Sequence, residues 1–401
     1  MTAISPSRRI PRASPDGLVA AVLLSFLATA GLFYVNIMAA LVSGLIEGLH
    51  FSQRDAGFVG SANVYGAALG ALMAVFFVKR ISWRPAAIAC LLTLICADLL
   101  SILIHQATPL IAARFAHGIV GGMLVGIGFS VIGRTRVPDR VFGMLLVVQF
   151  GLGGLGVMTL PRLVPLFGTP VLFLALALFS LVTLAMVPFL DDYARVELQH
   201  GSDAPPTQIQ WLPLGLALGA TFLFQAGNMA LGAYMIELGR HYGLGIAFMS
   251  PVLGIAAWIG AVGSMLVVLF GTRFGRFIPL LIALILTVIG NAVFYWSGSA
   301  TIYAAANVGT SITWAFVIPY LLGMCAAFDK TGQTAAMAGF CSKMGLATGP
   351  LVGGVILGSD NYVLLITVSV LVLAASAVAA LYPALMLDRT QPRGLAAAQQ
   401  A

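Results

Sequence analysis

The rhythm of its apolar runs constrains this chain most. Twelve stretches of about membrane-crossing length follow one another, at residues 17–46, 55–78, 84–104, 109–133, 140–161, 168–190, 211–239, 247–270, 276–297, 300–326, 332–357 and 361–387. A bilayer core needs roughly 20 apolar residues per helical crossing. A soluble surface would need roughly a quarter of its residues charged, whereas only 8% are charged here and 60% are hydrophobic. In lipid each backbone amide must find its partner within its own element or a closed barrel, so runs of this length predict helices. The expected fold class is an all-α membrane protein with twelve transmembrane helices. The first run is too long for a signal-peptide core and carries no small-residue cleavage pattern, so it is taken as the first span.

The polar segments set the organisation. Residues 1–16 form a tail, 17–190 a first six-helix bundle, 191–210 the longest polar interruption, 211–387 a second six-helix bundle and 388–401 a second tail. With the first tail placed inside, fifteen Lys and Arg residues fall in inner segments, while only Arg54, Arg162 and Arg240 fall in outer ones. Positive charge marks the cytoplasmic side, so both termini are expected in the cytoplasm and the protein in the plasma or inner membrane. The net charge of +7 would suit nucleic acid if it were gathered on one face, but the cations sit at span ends and point to lipid instead. Cys90, Cys96, Cys325 and Cys341 all lie inside apolar runs and read as packing residues, without metal-ligand spacing. The halves also repeat. Phe58, Gly70 and Ala71 match Phe248, Gly260 and Ala261 at one constant offset, and a later alignment sets Gln149 opposite Lys343.

Charge within the spans is rare and expensive. The fourth run, TPLIAARFAHGIVGGMLVGIGFSVIGRTR, holds Arg114, with His117 three residues on and glycines at 118, 121, 122, 126 and 128. The glycines leave flanks against which neighbouring helices can lie closely. Asp98 in the third run and Arg114 each lie about eight residues from the turn between them, or about 12 Å along a helix. They are expected at one depth and paired, either as a proton-sensitive latch or as a permanent ion pair. His117 shares the Arg114 face and could relay protons or simply bridge helices. Lys343 stands near the middle of the eleventh run with no acid on its own helix. Two cations against one deep acid favour an anionic cargo, with a lysine tied to a backbone carbonyl or Asp98 as the bland alternative.

Four segments carry a resemblance. Arg114-Phe-Ala-His117-Gly118 is similar to the helix-4 motif of the major facilitator superfamily, with His where Gln is usual. Gly345-Leu-Ala-Thr-Gly349-Pro350-Leu-Val-Gly353-Gly354 resembles the antiporter-type GxxxGPxxGG motif of helix 5, here in the eleventh run. Arg80-Ile-Ser-Trp-Arg84 and Arg273-Phe-Gly275-Arg276 resemble the paired loop motifs, although Lys79 and Thr272 stand where an acid is usual. The resemblance implies two pseudo-symmetric six-helix bundles, alternating access, and gating or packing roles for these glycines, for Pro350 and for the loop arginines. It also implies that spans 1, 4, 7 and 10 face a central path. That makes Tyr34, Asn36, Gln225, Asn228, Asn307 and Trp314 candidate cavity residues alongside Arg114 and Lys343, with Gln149 and Tyr65 behind them. Anion-carrying members also place a lysine in helix 11.

The five histidines are scattered, and neither a nucleophile elbow nor a phosphate loop is present, so no enzyme, metal or cofactor is expected. The expected function is secondary transport of a small organic anion by proton coupling or exchange, by a monomer. A proton-coupled exporter of drugs or amphipathic compounds is the first alternative. A membrane sensor or scaffold on the same fold is the second.

Overall fold

The computed structural model describes residues 12–77, 81–135, 138–193, 210–270, 273–328 and 333–390. Helices account for nearly all of them: α1 Leu18–Ala30, α2 Phe33–Asn36, α3 Met38–Leu49, α4 Gln53–Phe77, α5 Trp83–Ser101, α6 Ala107–Ile132, α7 Pro138–Phe167 and α8 Pro170–Met186 in the first half. The second half comprises α9 Trp211–Gly232, α10 Met235–His241, α11 Ile246–Phe270, α12 Phe277–Ala292, α13 Ala300–Ala326, α14 Gln333–Leu357 and α15 Tyr362–Thr390. Eleven of these are long and apolar enough to cross a membrane. The twelfth crossing is shared by α1, α2 and α3.

The first run is therefore not the continuous helix expected from its composition. It breaks at Gly31–Leu32 and again at Ile37, whose backbone leaves the helical region (φ −112°, ψ 19°). Gly31 lies directly against the backbone of Gly121 in α6, a contact that a side chain would prevent. The seventh run also breaks, at Ala233–Tyr234, so that α10 is a separate short helix at its end. Continuous apolar sequence hides such breaks because their residues stay apolar and at least half-buried: Ile37, Ala233 and Tyr234 are essentially inaccessible, and Leu32 is half-buried.

Small residues decide the packing within each half. On α6, Gly118 and Gly122 lie on the backbone of α4 at Asn63 and Ala67, while Gly128 lies on Ala28 of α1. Two glycine rows on one helix thus serve two neighbours. In the second half Gly260 and Gly263 of α11 lie on Ser311 and Ile312 of α13, repeating the α4–α6 contact. Gly345 and Gly349 of α14 lie on Phe222 and Ala226 of α9.

An even number of crossings puts both termini on one face, called here the terminal face; the opposite face is distal. At the junction of the halves, Tyr234 Oη donates to the backbone oxygens of Gln53, in the first half, and Pro350, in its own, at 2.9 and 3.0 Å. Gln53 Nε2 donates to Tyr362 Oη at 2.9 Å and Arg162 Nη2 to Ala247 O at 2.6 Å. Arg240 bridges Glu47 of the first half and Glu237 of its own helix. All of these sit toward the distal face. Trp258 Nε1 donates to Gly151 O at 3.0 Å, and Tyr65 and Thr348 hydroxyls meet at 2.8 Å, nearer mid-depth.

Candidate functional site

The fold sorts the polar residues of the spans into three groups. In the first, Arg114 of α6 is completely enclosed. Its Nη1 donates to Asp98 Oδ1 of α5 at 2.7 Å, and its Nη2 to Ala97 O at 3.0 Å and to Ser101 Oγ. Its guanidinium lies 5.1 Å from the ring centre of Phe173 in α8. Asp98 also faces His117 Nε2 at 3.2 Å. Asn63 of α4 settles the histidine tautomer. Its Nδ2 reaches both Arg114 O, at 3.2 Å, and His117 Nδ1, at 2.8 Å. The backbone oxygen can only accept, so Nδ2 is the donor to both and Nδ1 is an acceptor. His117 therefore carries its proton on Nε2 and donates it to Asp98. A second proton on Nδ1 would face Asn63 hydrogens, and turning the amide over would break its bond to Arg114 O. The ring of Tyr34 in α2 lies 6.3 Å from His117, on this network.

The second group lines a cavity of about 270 Å³ between the halves. Asn36, Gln149, Asn228, Asn307 and Trp314 all contribute, from α2, α7, α9 and α13. No charged side chain lines it among the described residues. Asn291, Thr310 and Ser311 add polarity that the sequence reading missed, and Phe150 stands edge-on to Trp314 with centroids 6.2 Å apart. Asn228 and Asn307 each spend one amide hydrogen on the oxygen four residues back in their helices, at 2.9 and 2.8 Å. Arg114, Tyr34, Gln225 and Lys343 do not line this cavity.

The third group connects the cavity wall to α14. Trp314 Nε1 donates to Gln225 Oε1 at 2.9 Å, and Gln225 Nε2 donates to Ser342 Oγ at 2.9 Å. Lys343 is the next residue. It shares a helical face with Ala347, Pro350 and Gly354, and on that face Pro350 O meets Gly57 and Gly354 meets Arg54, both in α4. Lys343 is thus turned to the junction between halves. It makes no hydrogen bond or ion pair with any described residue, in contrast to the sequence-level possibility of an Asp98 partner. α14 runs unbroken through Pro350, whose carbonyl accepts from Tyr234.

The loop motifs lie on the terminal face. Arg80 lies outside the described residues. Arg84 pairs with Asp192 at 2.9 Å and donates to Leu190 O at 2.6 Å. Gly275 adopts φ +74°, which glycine tolerates, and the Asp388 carboxylate packs over it to accept the backbone amides of Arg276, at 2.8 and 3.0 Å, and of Phe277, at 2.9 Å. Arg273 is exposed beside it. An acid at the end of the last span thus meets the loop motif in each half, Asp192 at the Arg84 side chain and Asp388 at the backbone of Arg276 and Phe277. The sequence does carry that signal, as Leu190-Asp191-Asp192 and Leu387-Asp388 at corresponding ends.

The sequence matches the description Major Facilitator Superfamily over residues 21–342. Comparison with curated proteins gives no match. Among solved structures, a point mutant of the nucleoside transporter NupG is similar at 14% identity and a TM-score of 0.68, covering 92% of this chain and 99% of its own. The human organic anion transporter MFSD10 (TETRAN) is similar at 17% identity and a TM-score of 0.65, covering 94% of this chain and 100% of its own.

Proposed function

The chain belongs to the Major Facilitator Superfamily, and from that premise we propose that it is a secondary transporter of a small organic anion, working by alternating access. The observation that carries the proposal is the contrast in how the two mid-membrane cations are satisfied. Arg114 has its counter-ion, Asp98, built into the same half, whereas Lys343 has no partner among the described residues, at the junction between halves. An unpaired ammonium at membrane depth is costly even when half-buried, as Lys343 is, and a cargo carboxylate offsets that cost on arrival. Lys343 stands behind the cavity wall, next to the Ser342 end of the Trp314–Gln225–Ser342 relay, so the carboxylate reaches it as that relay gives way, while the cavity residues hold the remainder of the cargo. A cavity of about 270 Å³ is at the small end of ligand sites, so the cargo is small.

The distal contacts close one side, so cargo enters and leaves this conformation from the terminal face, which we assign to the cytoplasm from the distribution of Lys and Arg. Asp98, Arg114 and His117 act as a brace within the first half; a proton reaches Asp98 only by opening that core. Energy comes from exchange against a second anion or from a proton carried with the cargo.

A second reading rests on the uncharged, partly aromatic cavity wall, which suits a neutral or amphipathic compound moved by proton-coupled export. The two structural neighbours are named for different cargo classes, so likeness of fold does not choose. Counterflow in proteoliposomes chooses: the proposal expects radiolabelled mono- or dicarboxylates to exchange, and Lys343→Met to abolish it. Full-rate carboxylate exchange by that variant, or exchange only of neutral or cationic compounds, excludes the anion reading. A folded protein that moves nothing in the assay is a sensor or scaffold.

A further inference from the structure

A second concavity, of about 500 Å³, lies on the outside of the second half, between α11, α12 and α13. Its walls are Leu266, Ile278, Ile282, Leu286 and Phe316, with Thr313 the one polar wall residue. Thr313 spends its hydroxyl on the oxygen of Thr310 at 3.2 Å. Ile278, Ile282 and Leu286 are each about half exposed, at 51, 53 and 51%, and belong to one face of α12. That face points away from the bundle. In a chain that crosses the bilayer it meets hydrocarbon, so a water-borne ligand has no route to it and the apolar walls offer it nothing.

The mouth of the groove is different in character. Arg273 lines it at the terminal face, is exposed, and makes no hydrogen bond or ion pair with any described residue. The nearby acid does not answer it, because Asp388 is turned onto the backbone amides of Arg276 and Phe277. Those amides are in turn closed to any other anion. A cation without a partner among the described residues therefore stands where the hydrocarbon ends, above an apolar trough that leads into the membrane.

The geometry points to a binding site for an anionic phospholipid of the terminal-face leaflet, with one acyl chain along the groove and the headgroup phosphate on Arg273. A trough of this kind gives the chain dispersion contacts on three sides that bulk lipid provides less uniformly. A basic residue at the membrane surface selects the charge of the headgroup. The site involves neither the central cavity nor Lys343, so it stands whatever the cargo proves to be.

The test is native mass spectrometry of the full chain purified in mild detergent, titrated with phosphatidylglycerol and, separately, phosphatidylcholine. Wild type is expected to retain one phospholipid with a preference for phosphatidylglycerol. Arg273→Gln should weaken phosphatidylglycerol about five-fold and leave phosphatidylcholine unchanged, since one surface cation contributes about that much. Ile282→Trp and, independently, Leu286→Trp fill the trough and should displace both lipids; a melting curve shows that each variant is folded. The site is overturned if folded trough-filling variants keep the lipid. The headgroup assignment is overturned if Arg273→Gln keeps the wild-type preference.

Discussion

Arg114 and Lys343 look alike in sequence, each a lone cation among some twenty apolar residues, and the fold treats them oppositely. Arg114 reaches three partners on α5 and an aromatic face on α8, and no part of its side chain is accessible. Lys343 reaches none among the described residues. The difference follows from the helices around them. α6 is clasped by α4, α5 and α1 inside one rigid half, and Asp98 is at matching depth there. α14 packs on α9 with its glycine face and turns the lysine toward the other half, where no acid is fixed. Depth in the membrane tells what a charge costs; whether that cost is answered by the protein's own atoms tells structural charge from charge held for a guest.

The largest effect should come from unbalancing the brace. Asp98→Asn leaves the guanidinium of Arg114 buried without a counter-charge, a cost of roughly 3–5 kcal/mol. Little folded protein is expected, by yield and by melting in detergent. The neutral pair Asp98→Asn with Arg114→Met should recover much of that loss, because it is the lone charge and not the missing bond that costs most. A latch gives the other result: Asp98→Asn folds normally and transport loses its pH dependence.

Lys343→Met is the mirror experiment. No partner is orphaned, so the melting temperature should stay level or rise. Affinity for the anion should fall roughly 10- to 150-fold, the worth of one charge-assisted hydrogen bond. Measured side by side, the two substitutions separate stability from binding. A Lys343→Met protein as unstable as Asp98→Asn would end the contrast and make the lysine a packing residue.

The number of crossings was legible in the apolar runs, because run length is imposed by the bilayer and not by neighbours. Pairing of Asp98 with Arg114 was legible for the same reason: two residues equally far from one turn must meet. The breaks at Gly31–Ile37 and Ala233–Tyr234 were not, since a kink in a buried apolar helix leaves the hydropathy unchanged. Nor was the division of labour among amides. Asn63 and Asn291 lie outside the four spans expected to face the path, and neither was singled out, yet one fixes the His117 tautomer and the other lines the cavity. A helix's rotation about its axis decides which way an amide points, and rotation is set by glycine contacts that composition alone does not order. Gln225 shows the converse: it lies in an expected cavity helix but is consumed between Trp314 and Ser342.

Smaller effects should follow within the cavity. Asn307→Ala removes one neutral acceptor and should weaken cargo binding about 2- to 12-fold, the range for a single uncharged hydrogen bond, without moving the melting temperature by more than a degree or two. Arg114, Asp98 and His117 do not line the cavity. Chemical-shift changes on cargo addition that appear at His117 and not at Trp314 would relocate the site.

The smallest effect concerns the distal seal. Arg240 holds Glu47 across the halves and Glu237 on its own helix, and its side chain is 30% accessible. A pair so exposed contributes about 1 kcal/mol or less. Arg240→Gln should therefore leave the fold intact and shift the balance toward distal opening by up to about five-fold. Tyr234, Gln53 and Tyr362 remain to hold the two halves together. Cysteine accessibility at Gly151, where an added side chain meets open space beside the α7–α11 contact at Trp258, reads that balance in a variant whose four native cysteines are replaced, with thiol reagent added from the distal side. If labelling does not change, Arg240 is not part of the seal. If it rises beyond tenfold, the ion pair holds the seal more strongly than its exposure allows, and Arg240, Glu47 and Glu237 act as one network instead of as separate surface pairs.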